Sequence, residues 1–84
     1  MKAPVERKTL PPGLYRHFKG GLYEVLDTVI HSETLETYVL YRPQGTGPWW
    51  IRPYGMFTEL VELDGEWVPR FKALPHGWAT ERDG

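Results

Sequence analysis

Cysteine is absent from this 84-residue chain, which removes both a disulfide framework and any thiolate zinc site. That absence fits a reducing compartment, and the sequence predicts a cytoplasmic protein. Also missing is any apolar run of the about 18 residues that a membrane-spanning helix needs, so no membrane partner is expected. The opening Met1-Lys2-Ala3-Pro4-Val5-Glu6-Arg7-Lys8 has no hydrophobic segment behind it and does not read as a signal peptide. Neither sign of charge is in excess: 10 basic and 11 acidic residues leave a formal net charge of -1. Interleaved charge of this kind supplies no general field for a nucleic-acid backbone. Nucleic acid is therefore possible through a local basic patch but is not favoured. The 3 histidines show no HxH or HxxxH spacing, so neither a metal site nor a cofactor is expected. Repeats, heptads and low-complexity tracts are missing as well.

Aromatic residues are plentiful: 4 Trp, 5 Tyr and 3 Phe. A chain of this length is one domain and buries only about 60% of the surface its unfolded form exposes, so each large ring must contribute to a thin core. Residues 1–12 end in Pro11-Pro12 and read as a flexible N-terminal arm. The domain proper spans 13–74, with 75–84 as a C-terminal tail in which Trp78 could fold back. Within it, residues 14–19 read as a strand with Leu14, Arg16 and Phe18 on one face and Tyr15, His17 and Lys19 on the other. Gly20-Gly21 then supplies a tight hairpin, and 22–30 is the return strand. Its apolar residues switch face between Val25 and Leu26, which predicts a bulge near Asp27.

Residues 31–36 break the strand pattern and form a reversal; a helix there would be too short and would have no apolar stripe. A strand at 37–42, a loop at 43–48 and a compact strand at 49–52 follow, with a turn or single 3₁₀ turn at 54–57. Asp64-Gly65 is the strongest hairpin signal, flanked by strands at 58–63 and 66–72. Counting outward pairs Leu63 with Glu66, Val61 with Val68 and Glu59 with Arg70, and places Leu60, Trp67, Pro69 and Phe71 in an apolar cluster on the opposite face. The expected fold is all-β: a small, strongly bent antiparallel barrel of five to six strands, SH3-like, with flexible termini. An OB-fold is the second choice because it needs more residues and usually a helix.

Several ordered motifs, Gly13-x-Tyr15-Arg16-His17-x-Lys19-Gly20, His31-Ser32-Glu33-Thr34-Leu35-Glu36, Val39-x-Tyr41-Arg42 and Trp50-x-Arg52-Pro53-x-x-Met56-Phe57, stand in the chain together with Val68-Pro69-Arg70-Phe71. In this the chain resembles a family of small, mostly bacterial proteins known only as a domain of unknown function, over about residues 13–72. The resemblance implies a compact β domain, usually a short stand-alone protein, and carries no activity, cofactor or partner with it.

Two function classes fit the residues. In the first, favoured, the chain is a non-enzymatic binding module. Its recognition surface consists of Tyr15, His17, Trp49 or Trp50, and Arg52, and its ligand is an anionic or aromatic molecule, a peptide or exposed bases. In the second it is a small hydrolase-like or isomerase-like enzyme using His17 or His31 with Glu33 as acid and base. Against catalysis stands the local alternative, that His17 and His31 are rim residues bonded to turn amides. Against an anion site at Arg52 stands an ion pair with Glu24 or Glu36, and for Arg70 an ion pair with Glu59. A protein partner docking through a barrel edge is a third possibility.

Overall fold

The structure, a computed structural model, describes residues 5–75; the expected tail beyond them, Trp78 included, lies outside the described residues. Strand β1 (Gly13–His17) pairs antiparallel with β2 (Leu22–Ile30). Between them, residues 18–21 form a wider turn than two glycines alone would give. It is closed by the Gly20 amide on the His17 carbonyl at 2.7 Å and the His17 amide on the Gly21 carbonyl at 2.8 Å. Gly20 carries the turn at φ 109°, which side chains resist. Strand β2 continues past the end of β1 and pairs with β3 (Thr37–Pro43), with the register shifting between Val25 and Asp27 at the bulge. That extra residue lets Val25 and Thr28 face the same side despite their odd spacing.

Strand β4 (Trp50–Pro53) lies on the outer side of β3, and one turn of helix, α1 (Tyr54–Phe57), follows it directly. A hairpin of β5 (Leu60–Leu63) and β6 (Glu66–Pro69) comes next, and β7 (Phe71–Ala73) returns to pair with β1. The main sheet therefore runs β4-β3-β2-β1-β7, and β5-β6 forms a second sheet of its own. Asp64 at φ 51° and Gly65 at φ 83° give the left-handed pair a type I′ turn requires. The register Leu63 to Glu66 and Val61 to Val68 is the one counted from the sequence. The backbone pairing extends to the Arg70 amide on the Glu59 carbonyl at 2.9 Å.

The all-β antiparallel class holds, but the barrel does not close. Pro53 ends β4 and Pro69 ends β6, and neither offers an amide to extend the ladder. The chain turns off the sheet through α1, leaving β4 and β7 as edges. A second departure concerns the hairpin's apolar cluster. Leu60 and Trp67 are 57% and 68% exposed, while Phe71, expected beside them, is buried against the main sheet. The break at Arg70 separates them: Phe71 pairs with His17 of β1 instead of continuing β6.

Paired residues share a face, so the register defines an inner face made of Tyr15 and His17, Tyr23 and Val25, Val39 and Tyr41, Trp50 and Arg52, and Phe71. The buried core is Tyr15, Val25, Val39, Tyr41, Phe57 and Phe71. Phe57, supplied by α1, is 1% exposed and stacks parallel on Phe71 at 4.1 Å. It also meets Tyr15 and Tyr41 edge-on at 5.6 and 5.3 Å. Each such ring pair adds about 0.5–1.5 kcal/mol beyond the area it buries, which suits a core this thin. Neither Trp49 nor Trp50 belongs to this core, although the two do diverge to opposite sides of the sheet as adjacent strand residues must.

Residues 7–11 of the N-terminal arm are bonded to the sheet and to α1. Arg7 donates from one terminal nitrogen to the Thr28 carbonyl at 3.0 Å, the Thr28 hydroxyl at 2.9 Å and the Asp27 carboxylate at 3.2 Å. The Lys8 amide and carbonyl are held by the Thr37 and Thr28 hydroxyls at 3.1 and 2.8 Å. Pro11, unable to donate, still accepts at its carbonyl from the Tyr15 hydroxyl at 2.7 Å.

Candidate functional site

One end of the inner face is lined by rings from five strands. The His17 imidazole lies 4.9 Å from the Phe71 ring and 6.1 Å from Tyr23, centroid to centroid. Tyr23 is 5.4 Å from Phe71 and 5.8 Å from Tyr41, and Tyr41 meets Trp50 edge-on at 6.0 Å. Local pairing explains this assembly: Tyr15 opposite Tyr23, His17 opposite Phe71 and Tyr41 opposite Trp50 bring residues distant in the chain into adjacent rows. Trp50, on the edge strand, remains 46% exposed and offers an indole face.

Arg52 enters this wall from β4. Its Nε donates to the Tyr41 hydroxyl at 3.1 Å. Its guanidinium carbon lies 5.9 Å from the Tyr41 ring and 5.7 Å from the Phe71 ring. Rings at that range favour a cation and fix its plane. Among the described residues no carboxylate pairs with Arg52. Glu24 accepts from Arg42 Nε at 2.8 Å and from the Gly45 amide at 2.8 Å on the opposite face. Glu36, the other expected partner, forms no ion pair among the described residues. Arg70 takes Glu59, as the hairpin count anticipated, with Nε donating at 2.9 Å.

Histidine 17 completes the electrostatics. Its Nδ1 accepts the Lys19 amide at 3.1 Å, which leaves Nε2 to carry the proton in the neutral ring. Burial, then the positive charges of Arg70, Arg52 and Lys19, hold its pKa below the ordinary 6.5. Near neutral pH the ring is uncharged and can donate from Nε2 without adding to the positive field. An anion arriving beside Arg52 would offset the charges that depress it.

The other candidates sit apart. Tyr15 is 4% exposed, its hydroxyl is committed to Pro11, and burial followed by the neighbouring Tyr54 pushes its pKa up to about 12; it belongs to the core beneath the site. Trp49 lies over the guanidinium of Arg42 at 4.3 Å, on the side of the Glu24 pair. His31 and Glu33 occupy the β2–β3 turn, where His31 Nδ1 accepts the Glu33 and Thr34 amides at 3.1 and 3.2 Å. Strand β2 is 9 residues long, so at about 3.3 Å per residue His17 and His31 stand roughly 30 Å apart. They do not converge, and the acid–base pairing of His17 with Glu33 has no geometry behind it. Both histidines cap turns through Nδ1, as the local alternative expected. Tyr23, Tyr41 and Phe71 were not singled out as site residues. Their signal was available in the period-two alternation with Tyr15 and His17, once the cross-strand register was known.

A comparison with curated proteins finds no match. Among solved structures, the chain is similar to a crystal structure of a DUF1653 protein from Bordetella bronchiseptica, at 30% identity and a TM-score of 0.70, covering 87% of this chain and 95% of that one. The family model for a protein of unknown function, DUF1653, matches residues 13–73, the span from the first residue of β1 to the last of β7, and the chain belongs to that family.

Proposed function

We propose that the protein is a small binding module whose aromatic wall receives a planar, anionic ligand, with Arg52 contacting the charge and Trp50 the ring. The observation that carries this reading is the half-buried Arg52 guanidinium. It donates to the Tyr41 hydroxyl and lies within reach of two rings, and among the described residues no carboxylate answers its charge. Such a group costs desolvation, and its terminal nitrogens suit bidentate contact with a carboxylate or phosphate. Neutral His17 beside it adds a donor, and Trp50 adds a stacking face.

The test is a titration of the isotopically labelled protein with adenosine 5′-monophosphate, adenosine and inorganic phosphate in parallel. Saturable shifts at the Trp50 indole and His17 are expected with the monophosphate and much weaker ones with either half alone. A charge-assisted contact is worth about 1.5–3 kcal/mol, so Arg52→Ala should weaken binding by about 10- to 100-fold. If no planar anion perturbs Trp50, His17 or Tyr41, or if Arg52→Ala binds as well as the unmodified protein, the proposal is wrong.

A further inference from the structure

The part of the inner face that meets the arm is built differently. There Thr28 and Thr37, 3% and 7% exposed, put hydroxyls where the period-two pattern elsewhere puts Val and aromatic residues. A buried hydroxyl requires a partner, and the partner of each is the main chain of the arm. The Thr37 hydroxyl accepts the Lys8 amide at 3.1 Å and the Thr28 hydroxyl donates to the Lys8 carbonyl at 2.8 Å. Farther along, the Tyr54 hydroxyl donates to the Thr9 carbonyl at 3.1 Å and the Tyr15 hydroxyl to the Pro11 carbonyl at 2.7 Å. Four hydroxyls thus hold one extended backbone at three successive stations, while Leu10 alone of these residues packs on the core. Main-chain bonds with one apolar anchor are how grooves recognise extended peptides.

Charge and space select the sequence. Asp27 and the Thr28 carbonyl hold Arg7, and the Lys8 ammonium lies 5.6 Å from the Tyr54 ring centroid. Beside Lys8 opens a cleft of about 480 Å³ whose wall includes Glu36, Glu59, Leu35 and Met56. Leu35 and Met56 are each 47% exposed there, so the arm fills the groove only in part. Residues 5–9 are themselves exposed, which makes the arm bonded but hardly buried. Segments of that kind open locally at far less cost than the whole domain.

We propose that this groove is a binding site for an extended basic peptide of the pattern Arg-Lys-x-Leu-Pro, and that the arm is its resident occupant, displaced when such a segment of a partner protein arrives. None of the bonds that hold the arm comes from Arg52, His17 or Trp50, so the two readings are tested on different residues.

Because the tethered arm competes at high effective concentration, the probe needs a chain with a weakened arm. A fluorescent peptide of residues 5–12 is titrated, by polarisation, into the full-length protein and into the full-length Arg7→Ala/Leu10→Ala variant. At least 10-fold tighter saturable binding to the variant is expected. Thr28→Val added to the variant, or Arg7→Ala in the peptide, should each remove most of that gain, and a scrambled peptide should not bind. Equal or unsaturable binding in a variant that still gives a folded amide spectrum overturns the proposal. So does a concentration-dependent dimer with exchanged arms, seen by light scattering and cross-linking, since the groove would then serve a second copy. Should the variant not fold, hydrogen exchange of the unmodified protein decides: the Lys8 amide must exchange well before the β2–β3 ladder, and exchange only through global unfolding overturns displacement.

Discussion

Replacing Glu24 with Gln removes the charge from an acidic side chain that is 10% exposed and bonded to both Arg42 and the Gly45 amide. Both bonds end on the same carboxylate oxygen, so a Gln amide oxygen can accept both but without the charge that strengthens them. Hydrogen bonds to charged groups contribute about 1.5–3 kcal/mol each. The Arg42 side chain, 27% exposed and covered by Trp49, recovers part of the loss from solvent and the indole. A destabilisation of about 2–3 kcal/mol follows, and at about 4–8 °C per kcal/mol that lowers the melting temperature by roughly 8–24 °C. Glu59→Gln is the internal control: its side chain is 39% exposed, and an ion pair this open should contribute under about 1 kcal/mol. Burial by itself would raise the Glu24 carboxyl, but the Gly45 amide and Arg42 together outweigh it and hold the pKa below the usual 4.5. A depressed carboxylate contributes stability above its unfolded pKa and loses it as pH falls through the folded one. The gap between the native protein and Glu24→Gln should therefore be full at pH 7 and close on acidification below about 4.5. Urea unfolding followed by tryptophan fluorescence at pH 7 and pH 3 reads both quantities. A Glu24→Gln protein no less stable than Glu59→Gln at pH 7, or a gap that persists at pH 3, refutes the reasoning.

Two further outcomes test the inner face. Tyr15 holds its proton to about pH 12 against 10 for an ordinary tyrosine, so its contribution is complete below pH 10 and lost as pH rises toward 12. Tyr15→Phe should lose about 1 kcal/mol at pH 7 with the Pro11 bond and show a shallower alkaline decline, measured by urea unfolding from pH 9 to 11.5. His17 is held below the ordinary histidine value, so its neutral form supports the fold above pH 6.5 and that support is lost as pH falls through its folded pKa. A His17→Gln variant should show a flatter stability profile from pH 7 to 5, and an NMR titration of His17 should give a midpoint under 6.5.

Local chemistry made much of this fold legible. Asp64-Gly65 sets its own turn and hence the register of the hairpin, including the Arg70–Glu59 pair, because a two-residue loop leaves the flanking strands no freedom to slip. The face switch at Val25 and Leu26 located the bulge for the same reason: period two allows a reversal of apolar side only where a residue is inserted. Partners determined by nonlocal closure were not legible. Nothing near Phe71 says that β7 leaves the hairpin to pair with β1, since its neighbours continue the alternation of β6. Arg52 could have met Glu24 by charge alone, but Glu24 and Arg42 sit opposite each other on the outer face while Arg52 faces inward opposite Val39. The bonds of residues 8–11 were not legible from composition: Pro11-Pro12 excludes a ladder, yet carbonyls still accept, and the hydroxyls that meet this backbone lie 4 to 45 residues away.

The inner face divides according to how its polar groups are satisfied. At the Thr28 and Thr37 end each buried hydroxyl has a main-chain partner, and those partners belong to a segment that contributes little burial of its own. At the His17 and Arg52 end the aromatic core itself forms the wall, and Arg52 has a phenol rather than a carboxylate for company among the described residues. Phe57, stacked on Phe71 and edge-on to Tyr15 and Tyr41, supplies cohesion without polarity. Folding alone would be served as well by a Leu or Met at position 52, because a guanidinium against two rings must be desolvated and gains one neutral hydrogen bond in return. The ion pair at Arg70 and the buried one at Arg42 have structural accounts in Glu59 and Glu24. Arg52 has none of that kind among the described residues, and it is this difference that the proposed anionic ligand would account for.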